Sequence, residues 1–454
     1  MMPPHGWGLR EYKPPGHRIL RKDRAAVILI NGSWLREGPG FSDLVGQIKD
    51  LRGKKKNHAA IVIPTLRRDD LIAEHIRRLS LQEHQEFDAI IVYGEDDRFV
   101  QDTHGVPTVH IRRKTDSGSA GGFYIGEMFA LENGYEFLML ADNDCLPESV
   151  GLVRDLLSAL KAGADVAFPK IRNADGKEAK ANELLPQYGC MKADVLRDVG
   201  LSYLPLHFGG EDVELFERMR KRGCRVAKTD SIAYHAQHAG VSPFACKGSK
   251  MRYYLRSEIL WRLLRYPFYN VGFNVFRNLS GGIFFAFSRK DLSAVMLDAA
   301  WLGSRAQFFK IDAAESPEPM RAQEASGMEA SRWSFDNGIQ DGFFSRMRRL
   351  RISTAGFLSQ LPKLIGKDII FDRTVGTSGI FLALFAKNSY LRENGGYYSV
   401  LKENRVYYLP LHLAMISLAL CVSLPLAIVL TGMAYAKRSM LGINSDSYGL
   451  ERLS

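Results

Sequence analysis

The sequence predicts an α/β protein: a mainly parallel mixed sheet between helical layers, preceded by a small β-rich extension and followed by a helical, membrane-associated C-terminal region. Three observations carry this. From residue 58 to residue 265, short apolar runs alternate with amphipathic segments, the pattern of strands joined by crossover helices. The runs are apolar at almost every position, as strands covered on both faces are. Near the C-terminus, Leu413 to Ala436 is uncharged and apolar.

The elements follow in order. Residues 1–57 contain one strand candidate, Ala25 to Ile30, then a turn at Asn31-Gly32 and the basic run Arg52-Gly53-Lys54-Lys55-Lys56, read as a solvated linker. Ala59 to Thr65 is the next strand, and Leu71, Ile72, Ile76 and Leu79 mark an amphipathic helix after it. Ala89 to Tyr93 and Thr108 to Ile111 are further strands, with a helix from Phe123 to Glu132. Phe137 to Ala141 is the fourth strand of this block, and Val150 to Leu160 another helix. Residues 266–400 read as mainly helical, with a linker near 310–337 containing Glu315-Ser316-Pro317-Glu318-Pro319. Residues 343–367 interleave basic and apolar side chains, a pattern that suits an anionic membrane surface or a packed helix equally. Residues 401–454 form a membrane segment and tail. Leu413 to Ala436 is long enough for the roughly 20 residues that span a bilayer, although a helix lying in the membrane or buried in the protein has the same composition. Tyr407, Tyr408 and Tyr435 lie near its ends, with Arg405 and Lys437-Arg438 outside them, as interfacial anchors do.

Composition narrows the partners. With 454 residues, 46% of them apolar, the chain is longer than one ordinary domain. A formal charge of +11 suits nucleic acid, an anionic membrane surface or phosphorylated substrates. No aromatic-basic repeat or zinc-finger spacing supports nucleic acid, so the other two are preferred. Five scattered cysteines without C-x-x-C spacing fit a reduced, cytoplasmic setting for the soluble part. Met1 to Gly6 shows no basic-then-apolar pattern, so no cleavable secretory signal is expected.

Asp142-Asn143-Asp144 directly follows an apolar strand. Side chains two apart on an extended chain point the same way, so the two carboxylates can converge on one hard cation, Mg²⁺ or Mn²⁺. By itself the triplet is equally a solvated loop or a helix cap before Pro147. Two further segments add weight. Asp116-Ser117-Gly118-Ser119-Ala120-Gly121-Gly122-Phe123 leads into a helix and lets backbone N–H groups approach an anion. Gly210-Glu211-Asp212 opens a helix ending near Gly223, where the dipole favours carboxylates, for stability or for a base facing a cleft.

In this order, with Ile63-Pro64-Thr65, Gly189-Cys190-Met191, Tyr234-His235 and Tyr253-Tyr254-Leu255-Arg256, the motifs over residues 58–265 resemble the inverting glycosyltransferases of family 2, which have the GT-A, Rossmann-like fold. The glycine turn is most similar to the N-x-G-G-A-G-G-F of galactofuranosyltransferases, with rhamnosyltransferases as close relatives. The resemblance implies Mn²⁺ or Mg²⁺ held by Asp142, Asp144 and His235 against the diphosphate of a UDP- or dTDP-sugar. It implies Asp212 as general base with Glu211 supporting the acceptor or orienting Asp212. Pro64, Thr65, Glu95, Asp96, Asp116, Gly121, Gly122 and Asn143 would line the donor, and Tyr253, Tyr254, Arg256 and Trp261 the acceptor cleft. The chain departs from the pattern in two places. Gly94 stands where the second strand ordinarily ends in Asp, and Gly210-Glu211-Asp212 replaces Trp-Asp-Asp. The implied activity is transfer of a sugar, galactofuranose first and rhamnose or another hexose as the alternative, to a lipid-linked or cell-envelope glycan at the cytoplasmic face of a membrane. A homo-oligomer is compatible with it. A nucleotidyltransferase and a non-catalytic glycan-assembly scaffold are the readings of a different class.

Overall fold

The computed structural model describes residues 19–22, 25–30, 34–37, 41–52, 57–66, 68–95, 97–173, 176, 178, 185–236, 249–285, 290–305, 368–372, 388–393, 396–401 and 409–440. Asp96, the 310–337 linker and the 343–367 stretch lie outside these residues. Three strands, β1 (Ile19–Lys22), β2 (Ala25–Ile30) and β3 (Trp34–Glu37), form an antiparallel sheet in the N-terminal extension. After the short helix α1 (Phe41–Leu44), strand β4 (Val45–Asp50) joins the main sheet. It thus lies before residue 58, where the sequence pattern begins, and pairs antiparallel with β7 (Thr108–Arg113).

Among the described residues, the main sheet has nine strands. The remaining ones are β5 (Ala59–Pro64), β6 (Phe87–Tyr93), β8 (Phe137–Ala141), β9 (Cys145–Pro147), β10 (Val166–Asn173), β11 (Gln187–Lys192) and β12 (Val226–His235). Their order is β4-β7-β6-β5-β8-β11-β10-β12-β9. β7, β6, β5 and β8 run parallel side by side, as do β10 and β12, while β11 and β9 run antiparallel to their neighbours.

Every residue of β5 and β6 is buried, because helices cover both faces. Alternation splits β5 between two cores. Ala59, Ile61 and Ile63 pack with α2 (Asp69–Ser80) and α4 (Leu152–Lys161) through Ile72, Ile76, Leu152 and Leu156. Ala60 and Val62 pack on the other face with α3 (Gly118–Glu132), α5 (Ala193–Val199) and α6 (Glu211–Lys221) through Phe123, Phe129, Leu196 and Leu215. Chain order reverses at β5, which is followed outward by β6 on one side and β8 on the other. Ligands in open α/β sheets bind at such a switch point, beyond the carboxyl ends of the strands.

A third layer consists of α7 (Ser249–Arg265), α8 (Phe268–Phe285), α9 (Lys290–Ser304) and α10 (Leu409–Met440). In the region read as mainly helical, β13 (Asp368–Asp372), β14 (Asn388–Glu393) and β15 (Gly396–Leu401) add a three-stranded sheet. The apolar C-terminal stretch forms α10, which continues through Pro425. Among the described residues, no helix is long and apolar enough to cross a membrane. Ala427, Leu430 and Ala434 of α10 pack with Val271, Val275 and Leu279 of α8. Arg438 donates to the Leu263 carbonyl at 2.7 Å, and Tyr435 donates to that of Tyr266. Val422, Leu426, Val429 and Met433 of α10 remain exposed.

Candidate active site

Asp142 follows β8 at the switch point, and the backbone fixes the turn after it. Its N–H donates to the Pro186 carbonyl at 2.7 Å, and its own carbonyl accepts from Cys145 at 3.0 Å. β9 then pairs antiparallel with the end of β12, placing His235 opposite Cys145, while the Ala236 N–H donates to the Asp144 carbonyl at 2.8 Å. Pairing across the sheet thus brings together residues about ninety positions apart. Asp142, Asp144 and His235 offer ligand atoms that all lie within 4.8 Å of one another, with His235 Nε2 3.6 Å from Asp144 Oδ1. Two part-exposed carboxylates and a buried imidazole fit a hard divalent cation.

Of the residues expected on the donor side, Asn143 and Thr65 meet beside this group. Asn143 donates from Nδ2 to Thr65 Oγ1 at 3.2 Å, joining the ends of β8 and β5. Pro64 and Thr65 are both buried there, and Gly122 of α3 packs against the Pro64 ring, where a Cβ would come within 2.5 Å. Gly121 is also buried in the first turns of α3. Asp116 Oδ1 accepts from the Gly118 N–H at 2.9 Å and lies 3.4 Å from Arg113 Nη1. Glu95 is exposed, whereas Asp97 is buried and accepts from the Gly94 N–H at 2.9 Å. The carboxylate after β6 that turns back onto the strand end is therefore one the sequence reading passed over.

The residues expected on the acceptor side start from α6. Glu211 and Asp212 lie in its first turn, after Gly209 and Gly210, which both have φ of 84°. A side chain is strained in that conformation, and the rings of Tyr254 and Trp261 occupy the space above the two glycines. Ser119 of α3 donates its hydroxyl to Glu211 Oε1. Burial, and next the Asp212 charge, push Glu211 up to about 7, and burial raises Asp212 as well. A carboxylate raised in this way is a stronger base than one in water.

Other residues predicted for the acceptor cleft face the protein. Tyr253 is buried with its ring centroid 4.2 Å from that of His207, and Arg256 is buried with Nη2 donating to the Pro205 carbonyl. Only Tyr254 and Trp261 of that set meet the Gly209-Gly210 turn. Besides Asp97, sequence reasoning missed Arg113, Ser119 and His75. Arg113 is buried and donates to the carbonyls of Tyr93 at 3.1 Å, Gly118 at 2.6 Å and Thr65 at 3.4 Å, tying β6, α3 and β5 together. Adjacent basic residues at a strand end gave no hint of this. His75 of α2 shares a hydrogen bond with the Tyr188 hydroxyl, and burial lowers its pKa to about 3, so it stays neutral. Its position on the apolar stripe of α2 was the available signal.

No protein-family model matches the chain. Over 196 residues the chain is 26% identical to the galactofuranosyltransferase GlfT1 of Mycolicibacterium smegmatis. The match covers 36% of this chain and spans 65% of the length of that relative. Among solved structures, Staphylococcus aureus TarS 1–349 in complex with UDP is 16% identical at a TM-score of 0.36, over 52% of this chain and 74% of that one. The mannosyltransferase PcManGT of Pyrobaculum calidifontis, in complex with GDP-Man and Mn²⁺, is 12% identical at a TM-score of 0.33, over 56% and 72%. At scores this low the overlap bears on neither fold nor ligand.

Proposed function

We propose that the chain is a metal-dependent inverting glycosyltransferase that moves a sugar from a nucleotide-sugar to a glycan acceptor. The observation that carries this reading is the continuous path of contacts across the switch point. Asp142, Asp144 and His235 converge, Asn143 joins them to Thr65, α3 packs on Pro64, and Ser119 of α3 meets Glu211 beside Asp212. A cation site and a pair of basic carboxylates thereby share one end of the sheet.

Asp142, Asp144 and His235 would hold Mn²⁺ or Mg²⁺, and the chemistry it supplies there is neutralisation of charge on a departing diphosphate. Thr65, Asn143, Asp116, Gly121 and Gly122 bind and orient the donor. Asp212 takes the proton of the acceptor hydroxyl, whose oxygen forms a bond to the anomeric carbon as the bond to the diphosphate oxygen breaks. The nucleoside diphosphate leaves and the configuration inverts.

The name of the 26%-identical relative supports galactofuranose as the sugar. The Gly210-Glu211-Asp212 form favours rhamnose or another hexose as the second reading. The acceptor is a lipid-linked or cell-envelope glycan, and the catalytic residues work at the cytoplasmic face of a membrane.

In the test, UDP-galactofuranose and dTDP-rhamnose are each added with Mn²⁺ while thermal unfolding is followed, because selective binding to the folded state raises its stability. The preferred donor is then offered to octyl glycosides. The expected products are a nucleoside diphosphate and a new glycosidic bond, with Asp212→Asn losing transfer while keeping metal-dependent UDP binding. Pyrophosphate release would instead identify a nucleotidyltransferase, and turnover retained in Asp212→Asn would reject it as the base.

A further inference from the structure

The three glutamates that α3 and α6 bury are not alike. Glu127 accepts through both oxygens from Ser202, at 2.7 Å from the N–H and 2.7 Å from the hydroxyl. Glu214 accepts through both oxygens from Arg218 at 2.9 to 3.1 Å. Each carboxylate is therefore closed by the protein, as a structural one should be. Glu211 differs. Oε1 accepts from the Ser119 hydroxyl, but Oε2 is buried and has no hydrogen-bond partner among the described residues. The N–H groups of Gly209 and Glu211 lie near enough to draw the carboxyl's pKa down, yet neither reaches Oε2 with hydrogen-bonding geometry.

An open oxygen on a buried carboxyl is costly unless something else closes it. Its surroundings suit a sugar hydroxyl. Glu211 is next to Asp212, and the rings of Tyr254 and Trp261 cover the turn that leads to it. The sequence points to the same pair. Ser119 and Glu211 are both positions where this chain departs from the motifs it resembles, a hydroxyl where the turn has glycine and a longer carboxylate where the acceptor motif has Asp. These two departures touch. The glycine motif and the acceptor motif are thus linked here by a side-chain hydrogen bond that neither motif would make.

We propose that Ser119 is a positioning residue which, by holding Glu211 Oε1, presents Oε2 to a hydroxyl of the acceptor sugar adjacent to the one that attacks. This rests on the glycosyltransferase reading above. Ser119 itself touches neither donor nor acceptor in this scheme; it acts through Glu211. The chemical class recognised is a sugar with neighbouring hydroxyls.

The experiment uses the full chain, the donor preferred by the wild type, and octyl β-galactofuranoside and octyl rhamnoside as acceptors. Ser119→Ala is expected to raise the acceptor KM about tenfold, the loss of one hydrogen bond to a charged group, with kcat and the Kd for UDP with Mn²⁺ changed less than about twofold. Ser119→Thr, which keeps the hydroxyl, recovers the acceptor KM. Glu211→Gln costs as much as Ser119→Ala, and the two together cost no more than either alone. Equal losses in acceptor KM and UDP affinity, or additive effects in the double variant, would overturn the proposal and leave the hydrogen bond a packing contact. Should Ser119→Thr fail to fold, the double-variant comparison decides by itself. A wild type that binds UDP with Mn²⁺ but transfers to neither glycoside overturns the acceptor role together with the reading it rests on. That outcome is distinct from failure of Ser119 alone, which leaves wild-type turnover intact.

Discussion

Glu211 shows how one residue ties stability to chemistry. Its carboxyl is pushed from an ordinary value of 4.5 up to about 7 by burial and by Asp212, so between those values the folded chain keeps a proton that the unfolded chain has lost. Stability must then fall as pH rises through that window, since the folded state binds more protons. Glu211→Gln removes the titration. In scanning calorimetry at pH 5 and pH 8, the variant is expected to lose fewer degrees than the wild type, each kcal/mol being worth about 2–4 °C in a protein of roughly 150–250 residues and less in a longer chain. Equal losses would show that Glu211 stays ionised throughout. At this scale the sequence was most informative where residue type and spacing carry the chemistry. Asp142, Asp144 and His235 were named from spacing and resemblance, and their ligand atoms do come together. Arg113 and Asp97 were not named, because their roles consist of hydrogen bonds to strand ends that only the assembled sheet brings near.

Among elements, strands β5 to β8 were legible, whereas the start of α3 and strands β9 to β12 were not. Apolar runs such as Ala59–Pro64 and its partner strand Phe87–Tyr93 can only be satisfied by burial on both faces, so their state follows from composition. The helix expected from Phe123 instead begins at Gly118, and the glycine-rich segment is its first turns. Glycine disfavours helix by about 1 kcal/mol relative to alanine, so propensity argued for a turn. Packing overrides it: α3 lies so close to β5 that a Cβ on Gly126 would stand 2.2 Å from Val62 Cγ1. Gly126→Ala is therefore expected to destabilise the chain by about 1–3 kcal/mol through overpacking. Val62→Ala in the same chain should recover part of that loss in denaturant unfolding. An unaltered midpoint for Gly126→Ala would refute the close approach.

For the whole molecule, the outer helical layer carries an exposed apolar surface. Ala427, Leu430 and Ala434 fasten α10 to α8, while Val422, Leu424, Ile428, Val429 and Met433 are exposed on α10, along with Phe268, Tyr269 and Phe273 on α8. The last turn of α10, beyond this exposed apolar surface, carries Lys437, which donates to the Arg305 carbonyl at 2.8 Å. Membrane association is our proposal for it, with α10 lying along the surface. Sedimentation with vesicles of phosphatidylglycerol and phosphatidylcholine tests this. Val429→Glu with Met433→Glu should weaken binding about tenfold or more, since each apolar side chain contributes about 1.5–3 kcal/mol when buried. Undiminished sedimentation would remove this face from any membrane contact.

The sequence by itself predicted the α/β class, the order of strands and helices from β5 to α4 apart from the short β9, and the residue types of the candidate metal and base groups. These depend on local pattern and chain order, which a linear reading contains. Tertiary structure alone decided that His235 reaches the Asp144 loop through β9–β12 pairing, that Tyr253 and Arg256 are spent on packing, and that Ser119 and Glu211 meet. Each of these is a contact between segments far apart in sequence, and no local propensity specifies which distant groups the folded sheet and its covering helices will bring into reach.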